Sequence, residues 1–424
     1  MNEYQENDQL ETQENTDFVA SLDIGTDKIS LSIGKFYNGE FHTLLGSVTE
    51  KTKGVDKGKI INVELVSRDI FSLKTEAEEI LGYEVNEVVV GISDMEHSLH
   101  HNHAMVPVPE RQINRRHLIA VNNAAKAIPL KASEQIIHVL PESYLVDGSE
   151  TSSPVGHTGV RLDVNATIIT VPSSSIEKVK QVCANSGLLV REIIFSPLAS
   201  SMAVTSNRER YLGTIVIDMG AGTTDVVIYR NSKLQYCDVL QIGGNFITND
   251  LAEGLHCLQE EAEDFKLRFG KATSFFEEEL TREDFEDTGE FVIWQDQKQM
   301  IVDIIEARVT ELLELIFNNM KKSDYSVDDS YKIVLTGGTA LLPRMKELTS
   351  EIYGLETKIG APDIPHGVFD SSKGPIYSTA VGLLMTTDKW DYTTSSPKQL
   401  HPQNKDENKQ MFQKVISWFG GFFD

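Results

Sequence analysis

The sequence predicts an α/β protein built of two equivalent lobes that face each other across a cleft. Three observations carry that prediction. The run Ser21-Leu22-Asp23-Ile24-Gly25 turns into a second strand, and Val216-Ile217-Asp218-Met219-Gly220 does the same 195 residues later. Apolar runs of strand length alternate with stretches of helical spacing along most of the 424 residues. A third buried strand, 331–335, ends in Thr336-Gly337-Gly338-Thr339, where missing side chains let a backbone approach a flat ligand closely.

In chain order, residues 1–17 carry six acids and no Lys or Arg, which predicts a disordered acidic tail. Residues 18–24 read as a buried strand, 29–33 as its hairpin partner, and Tyr37-Asn38-Gly39 as the turn into a third strand. Helical spacing at Ile70, Leu73, Ala77, Ile80 and Leu81 predicts a helix over 67–81, before a strand at 85–92. The texture then changes to a His-rich loop (His97, His100, His101, His103), a helix near 115–127 and polar Gly/Ser segments at 147–159. These read as an inserted subdomain. Val160, Leu162, Val164 and Ala166 alternate as a half-buried strand does. Ser173–Ser175 offer caps for a helix with Ile176, Val179, Val182 and Cys183 on its apolar face, ended by Gly187. A second strand-rich unit opens at Gly213. Residues 244–320 read as acidic amphipathic helices, interrupted by Gly270 and a strand-like stretch at 290–294. Beyond Thr386 the chain turns polar and Pro/Gln/Asn/Ser-rich, which is linker composition, before a last apolar-aromatic segment at 411–423.

Charge excludes some functions. With 39 Lys+Arg against 64 Asp+Glu the net charge is -25, so no basic surface offsets phosphate repulsion and no nucleic-acid partner is expected. The same charge opposes adhesion to an anionic membrane except through a dedicated local element. Three cysteines, Cys183, Cys237 and Cys257, form no CxxC pair, which predicts neither a disulfide framework nor a zinc site. No apolar run is long enough for a transmembrane helix, and the first residues lack a signal-peptide layout. The four histidines read as a solvated loop rather than a metal site. The acidic run 277–279 reads as a solvated helix face.

The chemistry concentrates at the turns. A phosphate tail needs backbone N–H groups presented without obstruction, plus hydroxyls. Gly25, Thr26 and Lys28 supply these after the first strand, and Gly220, Gly222, Thr223 and Thr224 after its counterpart. Asp23 and Asp218, at the strand ends, are placed to hold Mg²⁺ through its water shell. On a helix, Glu263 and Lys266 share a face, positioned for ribose hydroxyls or an adenine edge, although alone they read equally as a surface ion pair. Gly337, Gly338 and Thr339 would take the nucleoside.

This order of parts resembles the actin-like ATPase superfamily over residues 18–385. Within it the chain is similar to the bacterial FtsA cell-division family. The run Gln241-Ile242-Gly243-Gly244-Asn245-Phe246-Ile247-Thr248-Asn249-Asp250, the insertion, the segment Ile376-Tyr377-Ser378-Thr379-Ala380-Val381-Gly382-Leu383-Leu384 and the amphipathic end after a linker carry that likeness. The resemblance implies an actin-like fold with an FtsA-type inserted subdomain IC at 87–167. Subdomain IA would occupy 18–86 and 168–194, IIA 195–243, IIB 244–325, and the last IIA/IA part 326–386. A flexible linker (387–409) would precede a membrane-targeting helix (410–424). It also implies ATP and Mg²⁺ as ligands, self-association into filaments and the FtsZ C-terminal tail docking on IIB at about 245–320. Other division proteins would bind IC, at the septum on the cytoplasmic face of the membrane. One departure matters. The segment Phe195-Ser196-Pro197-Leu198-Ala199-Ser200-Ser201 lacks the Glu or Gln that orients attacking water in other actin-like ATPases, which implies slow or absent hydrolysis.

Placed on a helix, Phe412, Val415, Ile416, Trp418, Phe419, Phe422 and Phe423 fall with Met411 in an arc of roughly 160°. Lys409 and Lys414 lie at its edges, a pattern suited to a helix in the membrane interface. The competing functions are an actin-like adaptor of a pilus-type machine, a chaperone or a sugar kinase. The chaperone would need a peptide-binding β domain after the ATPase unit, and the kinase a catalytic Asp and a substrate pocket in an insertion. No segment argues for either.

Overall fold

The computed structural model describes residues 16–37, 39–81, 84–273, 295–322, 327–364 and 371–387. The expected tail over 1–15, the strand-like stretch 290–294, the acidic run 277–279, the linker and the membrane helix lie outside the described residues.

The first lobe begins with a meander of β1 (Thr16–Ile24), β2 (Lys28–Tyr37) and β3 (Glu40–Lys51). A small hairpin follows, β4 (Val55–Asp56) with β5 (Lys59–Ile60), and then α1 (Val63–Leu81). Asn62 Oδ1 accepts from Leu65 N at 3.0 Å, so α1 starts a turn earlier than the apolar spacing predicts. Then come β6 (Glu87–Ile92), β7 (Ser98–Pro107), α2 (Arg115–Ala125), β8 (Glu134–Val146), β9 (Ser149–Thr151) and β10 (Arg161–Pro172). After them run α3 (Ser173–Asn185), β11 (Leu189–Phe195), α4 (Ser196–Val204) and α5 (Asn207–Leu212). The second lobe is β12 (Thr214–Met219), β13 (Thr224–Arg230), β14 (Lys233–Leu240), α6 (Gly244–Leu255), α7 (Gln259–Phe269) and α8 (Gln295–Lys322). It ends with β15 (Lys332–Thr336), α9 (Met345–Tyr353) and β16 (Thr357–Ile359), after which α10 (Ser378–Thr386) returns to pack on the sheet of the first lobe.

The duplication predicted from the two Asp-x-Gly turns is present in the topology. One five-stranded sheet runs β11-β6-β1-β2-β3 and the other β16-β15-β12-β13-β14. In each, a three-stranded antiparallel meander is extended by two parallel strands from its first strand. Strand alternation divides the residues between layers. On β12, Ile215, Ile217 and Met219 face the core of α6, α8 and α9, while Val216 faces the opposite layer. That shared layer contains α4 and α10, which pack on each other and touch both sheets. Their approach is close because Gly382 has no side chain: a Cβ there would overlap the backbone of Ala199.

The insert is a separate sheet, β7-β10-β8-β9, with α2 over it and its own core around Val121, Leu162, Val164 and Ile168. Four expectations change here. Residues 87–92 are not part of the insert: β6 is buried on both faces between β1 and β11, and β10 continues past 167 to Pro172. The histidines at 100–103 lie on strand β7 instead of a loop, because pairing with β10 sets a period of two. Thr16 and Asp17 belong to β1 and not to the tail. Helix α3 starts after Pro172 with no side-chain cap, and Ser175 instead donates to Asp94 Oδ2 at 2.5 Å. Among the described residues no helix is long and apolar enough to cross a membrane.

Candidate functional site

The two Asp-x-Gly hairpins are the same local structure. In the first, Ile24 pairs with Ile29 and Gly25 N donates to Lys28 O at 3.0 Å. In the second, Met219 pairs with Thr224 and Gly220 N donates to Thr223 O at 2.9 Å. A four-residue turn therefore follows each aspartate, presenting N–H groups at the end of a buried strand. The turns meet face to face: Thr26 fills the space beside Gly222, where any Cβ would overlap its hydroxyl.

Between them lies a cavity of about 670 Å³. It is lined by Asp23, Gly25, Thr26 and Lys28 from the first lobe, and by Asp218, Gly220, Gly222 and Thr223 from the second. Glu263, Lys266, Gly337, Gly338 and Thr339 complete the predicted set. Thr224 is the exception. It is fully buried, and its hydroxyl donates to Ile242 O at 2.8 Å, so it braces the loop from behind and does not reach the cavity.

The nucleoside end is assembled from three elements. Gly337 takes φ +86, and a Cβ there would sit 2.5 Å from Asp218 Oδ1 and Met219 O. Only glycine permits this approach. The backbone then forms a 3-10 turn, Gly338–Leu341, while Thr339 Oγ1 donates to Gly220 O at 3.0 Å. A Cβ on Gly338 would meet nothing within 4 Å, leaving the backbone open to the cavity. On α7, Lys266 Nζ lies 2.7 Å from Glu263 Oε2 and donates to Thr248 Oγ1 at 2.9 Å. Thr248 in turn donates to Glu263 at 2.5 Å. The helical spacing that put Glu263 and Lys266 on one face thus yields a closed triad with α6.

The cavity is lined by charges of both signs, among them Asp23, Asp218, Asp225, Lys28, Lys59 and Lys178. Burial, with the Asp218 carboxylate adding to it and Lys28 opposing, raises the Asp23 pKa to about 6. Burial likewise raises Asp218, against hydrogen bonds from Ser200 and Thr379. Asp225 is pushed well above the usual carboxylate range by burial and by Asp218. Burial lowers Lys28, with Asp23 and Asp27 opposing, and its ammonium lies 4.7 Å from the Tyr377 ring centroid. Three carboxylates around one cavity, Asp225 buried and Asp23 and Asp218 half-buried, suit a hydrated divalent cation. Asp23 and Asp218 are the groups that would hold it through water. Among the described residues there is no cluster of three or more His, Cys, Asp or Glu that could ligate a metal directly.

Several lining residues carry no signal in the sequence. Asp225 sits opposite Asp218 on the hairpin. Ser93, Asp94 and Lys59 come from segments without a motif, and only folding brings them in. Ser196, at the start of α4, lines the floor. A Cβ on Gly91 would come within 2.7 Å of its hydroxyl.

Comparison with known proteins bears on both the fold and the family. The family model described as cell division protein FtsA matches residues 215–382, and the model of the SHS2 domain inserted in FtsA matches 96–170. The chain is 31% identical to FtsA of Streptococcus pneumoniae over 351 residues, covering 82% of this chain and 76% of that one. It is 29% identical to FtsA of Pseudomonas aeruginosa over 368 residues, covering 87% and 88%. Among solved structures, a PilM–PilN type IV pilus biogenesis complex matches with TM-score 0.59 at 18% identity, covering 87% of this chain and 97% of that one. MreB5 of Spiroplasma citri bound to ADP matches with TM-score 0.52 at 14% identity, covering 88% and 96%. At these identities the structures speak to the fold alone, which is the actin-like one.

Proposed function

The chain belongs to the FtsA family of cell division proteins, and from that premise we propose that it is an ATP-binding scaffold of the division machinery. The observation that carries the nucleotide reading is the pair of matching turns, Gly25–Lys28 and Gly220–Thr223, facing each other across a cavity of about 670 Å³. Backbone N–H groups and the hydroxyls of Thr26 and Thr223 would receive the phosphates, and Lys28 would leave the Tyr377 ring for them. The Glu263–Lys266–Thr248 triad and the Gly337-Gly338 turn would take ribose and base. Mg²⁺, held through water by Asp23 and Asp218, would neutralise the phosphate charge. Helix α4 begins Ser196-Pro197-Leu198-Ala199 and brings no carboxylate or amide to orient water, which supports slow turnover at most.

MreB5, solved bound to ADP, fits a nucleotide in this fold, and cell-division relatives fit a role at the septum. In the proposed role the protein polymerises, and its α6–α8 region receives the C-terminal tail of FtsZ. The insert receives other division proteins, and residues 410–424 attach the assembly to the cytoplasmic face of the membrane. A single short apolar segment with few cations would bind lipid weakly, and polymerisation would multiply that attachment by avidity.

Two measurements test this. Isothermal titration with Mg-ATP should give a one-to-one isotherm for the intact chain; absence of binding sinks the nucleotide reading. Pelleting with anionic liposomes should capture the intact chain and lose it on Trp418→Glu; equal pelleting of both removes the tether.

A further inference from the structure

In the first lobe β1, β6 and β11 run parallel and side by side, so their carboxyl ends open on one edge of the sheet. In open α/β sheets that edge is where ligands bind. Asp23 stands near the end of β1, Ser93 just past β6 and Ser196 just past β11, and all three line the cavity. Ser93 is committed, since its hydroxyl donates to Asp225 Oδ1 at 3.0 Å. Ser196 is not. It is only 6% exposed, yet among the described residues its hydroxyl has no hydrogen-bond partner. Gly91 on β6 leaves that hydroxyl its room, because a Cβ there would stand 2.7 Å from Ser196 Oγ.

Ser196 is also the first residue of α4, a helix of nine residues whose start has no side-chain cap. The positive end of the helix dipole therefore lies at the cavity floor, with an uncommitted O–H donor on it. One turn along the same face, Ser200 hydrogen-bonds the Asp218 carboxylate, which turns this face toward the cation seat. A buried donor left unpaired costs stability, and an acceptor arriving with a ligand removes that cost. We propose that Ser196, at the N-terminus of α4, receives the terminal phosphate of a nucleoside triphosphate. Its hydroxyl donates to a phosphate oxygen, and the site tells triphosphate from diphosphate at this point. The proposal rests on the nucleotide reading of the cavity. A hydroxyl spent on a phosphate oxygen neither orients nor deprotonates water, in keeping with slow turnover.

The test compares the full chain with Ser196→Ala, which keeps Cβ and removes only the hydroxyl. Isothermal titration with Mg²⁺ should show the variant binding the non-hydrolysable imido analogue of ATP about tenfold more weakly, and ADP as well as the parent does. Thermal melting without nucleotide separates this role from a structural one. Ser196→Ala should melt no lower than the parent, because it loses no hydrogen bond within the protein. Ser201→Ala on the same helix is the reference. The Ser201 hydroxyl lies 2.9 Å from Leu198 O and 2.9 Å from Tyr229 Oη, so that variant should melt lower and leave both affinities unchanged. Equal weakening of both nucleotides by Ser196→Ala, or weakening of neither, overturns the proposal and leaves the nucleotide site standing. A melting temperature that falls as it does for Ser201→Ala makes the Ser196 hydroxyl structural and overturns the proposal too. Failure of the unaltered chain to bind either nucleotide overturns the site reading itself, and this contact with it.

Discussion

Ser93, just past the end of β6 in the first lobe, donates to Asp225 Oδ1 on β13 of the second at 3.0 Å. The bond crosses the cleft and ends on a carboxyl that burial and the Asp218, Asp23 and Asp238 carboxylates hold well above its ordinary range, with Ser93 opposing. A carboxyl raised in the folded state favours folding while protonated. Its contribution is present below the unfolded value, near 3.9, and is lost as pH rises through the folded value. Asp225→Asn keeps the acceptor and removes the charge. Without nucleotide or metal, it should melt higher than the parent at pH 7, with the gap closing toward pH 4. A gap independent of pH contradicts this assignment.

Asp23 gives a narrower window because its raised value is about 6. Asp23→Asn should gain stability over the parent between pH 4 and pH 6, on the order of 1–3 kcal/mol, and no more above. The same substitution should weaken Mg-ATP binding, since it removes half of the proposed cation seat. Urea titrations at several pH values measure the first effect and calorimetry the second.

His138 works in the opposite sense. Its Nε2 accepts from Phe195 N at 2.9 Å in a buried setting, and burial lowers its pKa to about 3. The unfolded chain takes up a proton that the folded chain refuses, so stability is full above the unfolded value near 6.5. It falls by roughly 1.4 kcal/mol per pH unit below that, until the folded value is reached. His138→Gln should flatten that limb of acid unfolding, followed by circular dichroism, while lowering stability at pH 7 through imperfect packing.

The triad of Glu263, Lys266 and Thr248 predicts a sugar-specific effect. Glu263→Ala should weaken ATP about tenfold, as expected for a charge-assisted hydrogen bond, and affect 2′-deoxy-ATP much less. Equal losses for both nucleotides would place Glu263 in loop architecture instead of ribose contact.

Gly337 has φ +86, with Asp218 Oδ1 and Met219 O 2.5 Å from an added Cβ. Gly337→Ala should destabilise the second lobe by about 2–4 kcal/mol, from overlap plus backbone strain, and lower the chemical-denaturation midpoint. Gly338→Ala, where nothing lies within 4 Å, should leave that midpoint nearly unchanged while impeding nucleotide binding.

Local pattern determined a good deal about this protein. The repeated Asp-x-Gly turns marked two equivalent sheets, and the topology contains both. Hairpin turns and helix faces are set by neighbours within four residues, so Gly25, Gly220 and the Glu263–Lys266 pair were legible from the sequence. Other features depended on partners far along the chain. The histidines of β7 became strand residues through pairing with distant β10, His100 with Ile168 and His103 with Asn165. Thr224 is turned away from the cavity, its buried hydroxyl bonded to Ile242 O, 18 residues along the chain. Ser93 and Asp225 met only when the lobes closed, across 132 residues of chain, and Gly58 reached Thr26 through folding of the first lobe, across 32. Sequence periodicity carries no information about which distant surfaces meet. That was decided by packing both sheets against α4 and α10, which aims the two turns at one another.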